Sequence, residues 1–209
     1  MKIVPMVCSF LVLTNLTGCA LAPVVVGGTA VTTATVVTDR RAAGTIVNDE
    51  VLEKRLQYEI TQSFGKKDFH IDVVSYEGKV LLVGEVPTAT MKSQAANIAS
   101  VSPGVKKVVN ELAVMQPSSM TTRLSDSMLA TKIRTNIIAT RAISLNQMKV
   151  NVQRGIVYLM GIVTVDRARK TVETVKNTSG VQKVVTVFQV ETKASIQKRM
   201  KDVQNNVQH

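Results

Sequence analysis

The amino-acid sequence predicts an α+β protein made of two tandem copies of one unit. Two observations carry this prediction. Residues 76–86 (YEGKVLLVGEV) are echoed by residues 153–163 (QRGIVYLMGIV), and both stretches keep two glycines at a spacing of six. Segments of similar periodicity lie at matching distances before and after both stretches, so each unit reads helix, strand, strand, helix, strand.

Each repeated stretch has the pattern of a β-hairpin. An alternating apolar run precedes each stretch, and the chain then turns at Glu77-Gly78 or at Arg154-Gly155. Glycine adopts the positive φ that a tight hairpin requires. The alternating residues are Phe69, Ile71 and Val73 in the first copy, and Met148, Val150 and Val152 in the second.

Helical periodicity flanks both hairpins. In the segment before each hairpin, apolar residues recur every fourth position and so share one helix face. They are Leu52, Leu56 and Ile60 in the first copy, aligned with Leu129, Ile133 and Ile137 in the second. A second amphipathic segment follows each hairpin, and a glycine turn at Gly104 or Gly180 then leads into a valine-rich strand.

The positive charge is concentrated in the second copy. The chain of 209 residues has a formal net charge of +11. Residues 45–116 carry eight basic and nine acidic side chains, whereas residues 121–192 carry eleven basic and four acidic ones. The second copy is therefore the one expected to meet an anionic partner, and charge alone leaves open whether that is nucleic acid or a phospholipid headgroup.

The N-terminus predicts export and a lipid anchor. A cationic start precedes an apolar run over residues 3–16, which is too short to span a bilayer and typical of a signal peptide. The following Leu-Thr-Gly-Cys19 resembles the bacterial lipobox, in which the cysteine is acylated. We therefore expect a signal peptide at 1–18, lipid attachment at Cys19 and a lipidated tether at 19–44. The alternative is an ordinary buried cysteine.

Together, the repeats, the paired glycines and the lipobox resemble the dual BON-domain outer-membrane lipoproteins, the division- and outer-membrane stress-associated lipid-binding protein family. The resemblance implies two αββαβ domains, at 45–116 and 125–192, each with two helices on one face of a three-stranded mixed sheet. Residues 117–124 would form a linker. The stretch 193–209 lies outside the resemblance, and its residues predict a basic, solvated tail, with a short amphipathic helix as the alternative. The resemblance also implies a protein facing the periplasm that supports envelope integrity and binds anionic phospholipid through the first helix of the second domain.

The residues of that helix predict a lipid-binding face. We place the helix at 126–141 with Ser125 as its N-cap. Opposite the buried face lies an uncharged strip flanked by cations, a pattern suited to a headgroup region. The predicted phospholipid-binding residues are Met128, Thr131, Lys132, Arg134, Thr135, Ile138 and Arg141. A seam between the repeats or a solvated face would give the same pattern. Met128 stands where the family has tryptophan.

The first helix of the first copy is predicted to behave differently. It carries Glu50, Glu53 and Glu59, so it suits packing or a partner better than anionic lipid. No catalytic or metal-binding set emerges, because the two histidines, His70 and His209, form no His-x-His or His-Cys pair. Asp68 and Asp72 flank His70, and we expect them to be polar residues at a strand end and not part of a catalytic triad. We therefore predict a non-enzymatic protein without a cofactor or metal.

Three functional classes are compatible with the sequence. The favoured one is binding of phosphatidylglycerol or cardiolipin. The second is a scaffold that binds an envelope protein or cell-wall component, with the acyl anchor alone providing membrane attachment. Nucleic-acid binding fits the basic charge, but it conflicts with export and with the scarcity of aromatic residues for base stacking.

Overall fold

The computed structural model describes residues 41–65 and 68–205. Each repeat contains the predicted elements in the predicted order. The first repeat comprises α1 (Ala43–Phe64), β1 (His70–Tyr76), β2 (Lys79–Val86), α2 (Ala89–Val101), β3 (Lys107–Asn110) and a short β4 (Ala113–Val114). The second comprises α3 (Met120–Ala139), β5 (Met148–Gln153), β6 (Ile156–Val163), α4 (Val165–Lys176) and β7 (Lys183–Val190), and a further helix, α5 (Lys193–Asn205), follows.

Both sheets are mixed. The hairpins β1–β2 and β5–β6 are antiparallel, and the third strand of each repeat runs parallel to the second. The central residues of the turns, Glu77 with Gly78 and Arg154 with Gly155, all have positive φ, as a type I′ turn requires. The predicted α+β fold of two αββαβ units is therefore confirmed.

A buried aspartate fastens each first helix to its own hairpin. Asp49 of α1 accepts hydrogen bonds from the backbone amides of Glu77 (2.8 Å) and Gly78 (2.9 Å). Asp126 of α3 accepts the equivalent bonds from Arg154 (2.7 Å) and Gly155 (2.9 Å). The duplication therefore preserves a tertiary contact as well as the element order.

The two sheets pack together through the faces that their helices leave uncovered. Tyr76, Leu81 and Val83 of the first sheet form one buried cluster with Tyr158, Met160 and Ile162 of the second. Polar contacts surround this seam: Asp72 accepts from the side chains of Asn151 (2.9 Å) and Gln153 (2.8 Å). Ion pairs join Lys149 to Glu53 at 2.5 Å and Arg154 to the buried Glu85 at 2.7 Å. The seam therefore uses the sheets and not the outward face of α3.

The predicted start of the second-repeat helix was wrong. α3 begins at Met120 with Ser119 as its N-cap, so the last part of the stretch predicted as a linker is helical. Ser125 lies inside the helix, and Asp126 holds the hairpin turn instead of occupying a first turn. α3 also ends earlier than predicted, at Ala139.

The prediction of a solvated C-terminal tail was also wrong for most of its length. Residues of α5 pack on the seam, where Ile196 joins the buried cluster and Met200 packs against it. Arg199 pairs with Glu77 of the first repeat at 2.6 Å and with Glu191 at 2.8 Å. α5 therefore bridges both repeats. The predicted signal peptide, Cys19 and most of the tether lie outside the described residues.

Candidate functional site

All seven residues predicted to bind phospholipid are exposed. Met128 and Ile138 retain 67% and 61% of their accessible surface, respectively. Thr131, Lys132, Arg134, Thr135 and Arg141 are exposed as well. Within the described residues, the sister repeat covers none of them. Residues of the opposite face, Ile133 and Ile137, are fully buried in the core of their own domain.

The apolar part of this face is longer than the sequence suggested. Met120 and Leu124, in the unpredicted first turns of α3, are 76% and 63% exposed. With Met128 they are spaced by four and lie along one side of the helix. We call Met120, Leu124, Met128, Thr131, Thr135 and Ile138 the outer strip. The spacing by four is visible in the sequence, but the sequence predicts a linker at Met120 and Leu124.

Cations border the outer strip. Lys132 Nζ donates a hydrogen bond to the Ser179 carbonyl (3.2 Å), and an Arg134 terminal nitrogen donates to the Val150 carbonyl (3.0 Å). Arg141 lies beyond the helix end at a φ of 50°. Within the described residues, none of these three forms an ion pair. Their charges therefore remain available to an anion.

A groove runs beside the outer strip. It lies between α3, the hairpin turn at Arg154 and Gly155, and the turn at Ser179 and Gly180, and it has a volume of about 760 Å³. Met128 and Lys132 line its edge toward the strip. The groove therefore places apolar and cationic side chains next to each other.

The first repeat has the same groove in a smaller form. It lies between α1, the turn at Gly78 and the turn at Pro103 and Gly104, with a volume of about 450 Å³. Arg55 donates to the Pro103 carbonyl there, as Lys132 does to that of Ser179. The two repeats therefore share the local architecture and differ in what surrounds it.

The outward face of α1 is apolar but acidic. Val47, Val51 and Tyr58 are exposed on it, at the positions equivalent to Leu124, Met128 and Thr135. α1 carries four acidic and two basic side chains, whereas α3 carries one acidic and three basic ones. An anionic surface would therefore be attracted to α3 and repelled by α1.

The described residues contain neither a membrane-spanning helix nor a cluster of metal ligands. Across residues 41–65 and 68–205, no helix has both the length and the apolar composition needed to cross a bilayer. In the same ranges, no group of three or more histidine, cysteine, aspartate or glutamate side chains is placed to hold a metal ion.

The fold and this surface define a tandem-domain α+β protein with one cationic, partly apolar helix face. The BON domain family matches residues 48–116 and 125–192. The chain therefore belongs to the BON domain family, with two copies of the domain, as its sequence predicted.

Two relatives match most of the chain. It is 36% identical over 174 residues to outer membrane lipoprotein DolP of Haemophilus influenzae, covering 83% of this chain and 89% of that protein. It is 35% identical over 151 residues to the 21 kDa hemolysin of Actinobacillus pleuropneumoniae, covering 72% of this chain and 78% of that protein.

Among solved structures, the C-terminal domain of CdsD from Chlamydia trachomatis, a structural protein of the Type III secretion system, is similar at 12% identity. The match covers 66% of this chain and 98% of that one, with a TM-score of 0.29. A score of that size supports no argument about this protein.

Proposed function

We propose that this protein is anchored by an acylated Cys19 to the outer membrane, faces the periplasm, and binds anionic phospholipid through its second BON domain in support of envelope integrity. The lipobox and the similarity to a relative named an outer membrane lipoprotein support the location. An acyl anchor holds a protein more firmly when a basic patch adds a second attachment.

One observation carries the lipid assignment: the outer strip is exposed and is bordered by Lys132, Arg134 and Arg141, which form no ion pair within the described residues. The apolar side chains would enter the boundary between headgroups and acyl chains. The cations would meet phosphate, each contributing about 1 kcal/mol near an anionic surface. The apolar contacts then hold the helix in place after electrostatic attraction has brought it to the membrane.

A liposome experiment tests this proposal without the acyl anchor. The chain from Ala20 onward is mixed with vesicles of phosphatidylcholine alone or with added phosphatidylglycerol or cardiolipin, and co-sedimentation is measured. We expect binding only to the anionic vesicles, weakening as salt rises because surface charges are screened. Equal binding to neutral and anionic vesicles would contradict the proposal.

Charge reversal locates the site. Replacing Lys132 and Arg134 with glutamate should abolish liposome binding while the circular dichroism spectrum and melting temperature stay unchanged. Replacing Lys54 and Arg55 on α1 with glutamate is the matched control. It changes the net charge by the same amount, and Arg55 is the counterpart of Lys132. If both pairs of substitutions weaken binding equally, the second domain has no special role.

The exposed acidic face of α1 favours a second candidate function, in which the protein is a scaffold for an envelope protein or cell-wall component. Val47, Val51 and Tyr58 offer an apolar contact that anionic lipid would not approach. Under this alternative, replacing Val51 and Tyr58 with serine would abolish recovery of a cross-linked envelope partner and leave liposome binding intact. Lost liposome binding in that variant would count against the division of roles.

A further inference from the structure

The second repeat contains another open groove, which no residue of the outer strip lines. It lies between α4 and β7 and has a volume of about 530 Å³. Ala168, Val172 and Phe188 line it, and all three also pack against the core of the second domain. Val190, at its end, is 54% exposed. The groove therefore exposes apolar surface that continues from the core.

In the first repeat a buried side chain occupies the equivalent position. There the third strand is interrupted after Asn110, whose side-chain amide donates to the Lys92 carbonyl of α2 (2.9 Å) and whose side-chain oxygen accepts from the Leu112 amide (3.2 Å). This kink turns Leu112 into the core, where it is 1% exposed. Phe188 is the counterpart of Leu112, but β7 continues straight past it.

The uninterrupted β7 also leaves one strand edge unpaired among the residues that the structure describes. β7 runs for eight residues, and within 41–65 and 68–205 it pairs only with β6. Glu191, just beyond it, donates its backbone amide to Val163 of β6 (2.9 Å). Because alternate residues of a strand direct their backbone groups to opposite edges, Val184, Thr186, Phe188 and Val190 direct theirs outward. Such an edge is a template for another strand.

We propose that the outer edge of β7 binds an extended segment of a partner protein, which adds to the second sheet as a further strand. Its apolar side chains would alternate into the groove between α4 and β7. Arg169 and Lys176 of α4 lie at the same groove with a single carboxylate, Glu173, and within the described residues none of the three forms an ion pair. The partner segment therefore carries acidic residues between its apolar ones.

Charge also argues against a second copy of this chain as the occupant. Pairing two β7 edges would bring both α4 helices to one side of a continuous sheet. Two copies each of Arg169 and Lys176 would then lie near one another with only two Glu173 carboxylates between them, and like charges in proximity are unfavourable. A segment of opposite charge has no such cost.

Selection from a displayed library of random peptides tests the proposal. The bait is the chain from Ala20 onward, which contains every described residue. We expect the enriched peptides to alternate apolar with polar or acidic residues. Hydrogen exchange should slow at the amides of Val184, Thr186 and Phe188 when such a peptide is added. Failure to enrich any peptide, or slowed exchange only at another surface, would overturn the proposal.

Substitutions at the edge of β7 distinguish backbone pairing from nonspecific hydrophobic binding. Thr186→Pro removes an outward amide that β6 does not use, and proline is tolerated on edge strands. We expect it to weaken peptide binding about tenfold. Thr186→Val, which keeps the amide, is the matched control and should bind normally. Equal binding by both variants would overturn the proposal.

Two further measurements keep the proposal testable. Thr186→Pro could lower the melting temperature strongly, and the variant Arg169→Glu with Lys176→Glu then replaces it as the test. These two residues are exposed, so their replacement should preserve the fold, and reversing their charge should weaken binding of acidic peptides. A dimer in light scattering that Thr186→Pro dissociates would overturn the chosen occupant in favour of a second copy. Liposome binding should be unchanged by Thr186→Pro, which separates this proposal from the lipid-binding one.

Discussion

The first helices of the two repeats, α1 and α3, are alike where they face the protein and different where they face outward. Each buries an aliphatic row in its own core and directs one aspartate to the hairpin turn. Each also sends a cation to the carbonyl of a nearby turn. Their outward faces share apolar positions, but α1 surrounds them with carboxylates and α3 with cations.

This difference shows how a duplicated domain can gain a second role without a new fold. The inward contacts are constrained by packing and by buried hydrogen bonds, since an unpaired buried group costs about 1–3 kcal/mol. The outward face has no such constraint, so its charge can change at little cost in stability. A functional difference between the repeats is therefore expected on the exposed side of the first helix.

Removing the shared aspartates should have the largest effect. Asp126→Ala leaves two hairpin amides without their acceptor and should lower the free energy of unfolding by about 3 kcal/mol. Asp49→Ala should cost more, because Asp49 also accepts from Ser75 and Arg41. Urea unfolding measures both. A loss below about 1 kcal/mol in either variant would show that the hairpins do not depend on these carboxylates.

Acid should act on the first domain through Asp49. Burial by itself would raise the pKa of Asp49, but hydrogen bonds from the amides of Gly78 and Glu77, from Ser75 and from Arg41 hold it below its usual value. A carboxylate with a lowered native pKa contributes stability above its unfolded pKa of about 4, and this contribution is lost as pH falls through the native value. The free energy of unfolding, measured across this pH range, should therefore depend less steeply on pH in Asp49→Asn than in the unsubstituted protein. An unchanged slope would contradict this account.

Converting α1 toward α3 should transfer lipid binding. Glu50→Lys with Glu59→Lys changes the charge of α1 from acidic to basic around Val47, Val51 and Tyr58. At about 1 kcal/mol per added cation, the affinity for anionic vesicles should rise about 30-fold. Co-sedimentation measures this, with Glu111→Lys, at an exposed position outside both helices, as a control that changes the charge in the same direction. No gain in affinity would mean that charge does not distinguish the two helices.

A smaller effect should follow from shortening the outer strip at Leu124. Leu124→Ser removes one exposed apolar side chain and should weaken vesicle binding by about 1 kcal/mol, or roughly fivefold, without loss of stability. Val47→Ser, at the equivalent position of α1, is the control and should leave vesicle binding unchanged. Equal effects of the two substitutions would remove Leu124 from the site.

The fold could be predicted from the sequence because its signals are local and occur twice. The paired glycines and the helical spacings required no knowledge of distant contacts. The start of α3 could not be placed, because Ser125 and Asp126 read as a helix start whereas the Asp126 carboxylate is used by the hairpin turn. That use depends on residues far along the chain.

Two other features depended on surfaces that exist only after folding. The sequence of α5 reads as a solvated tail, because the surface that it packs against is not visible in the sequence. Ile196 and Met200 pack on a seam that forms only when both sheets come together. The exposure of Met128 and Ile138 followed from that same seam, since the repeats meet through their sheets and leave α3 uncovered. The charge difference between the repeats, by contrast, was readable from the sequence.

The most direct test of lipid binding by α3 is paramagnetic broadening of side-chain methyl signals by spin-labelled lipid in vesicles containing phosphatidylglycerol. The account predicts strong broadening at Met120, Leu124, Met128 and Ile138, and little at Val47 and Val51. Broadening of Val47 and Val51 equal to that of the α3 methyl groups, or none at either helix, would contradict it.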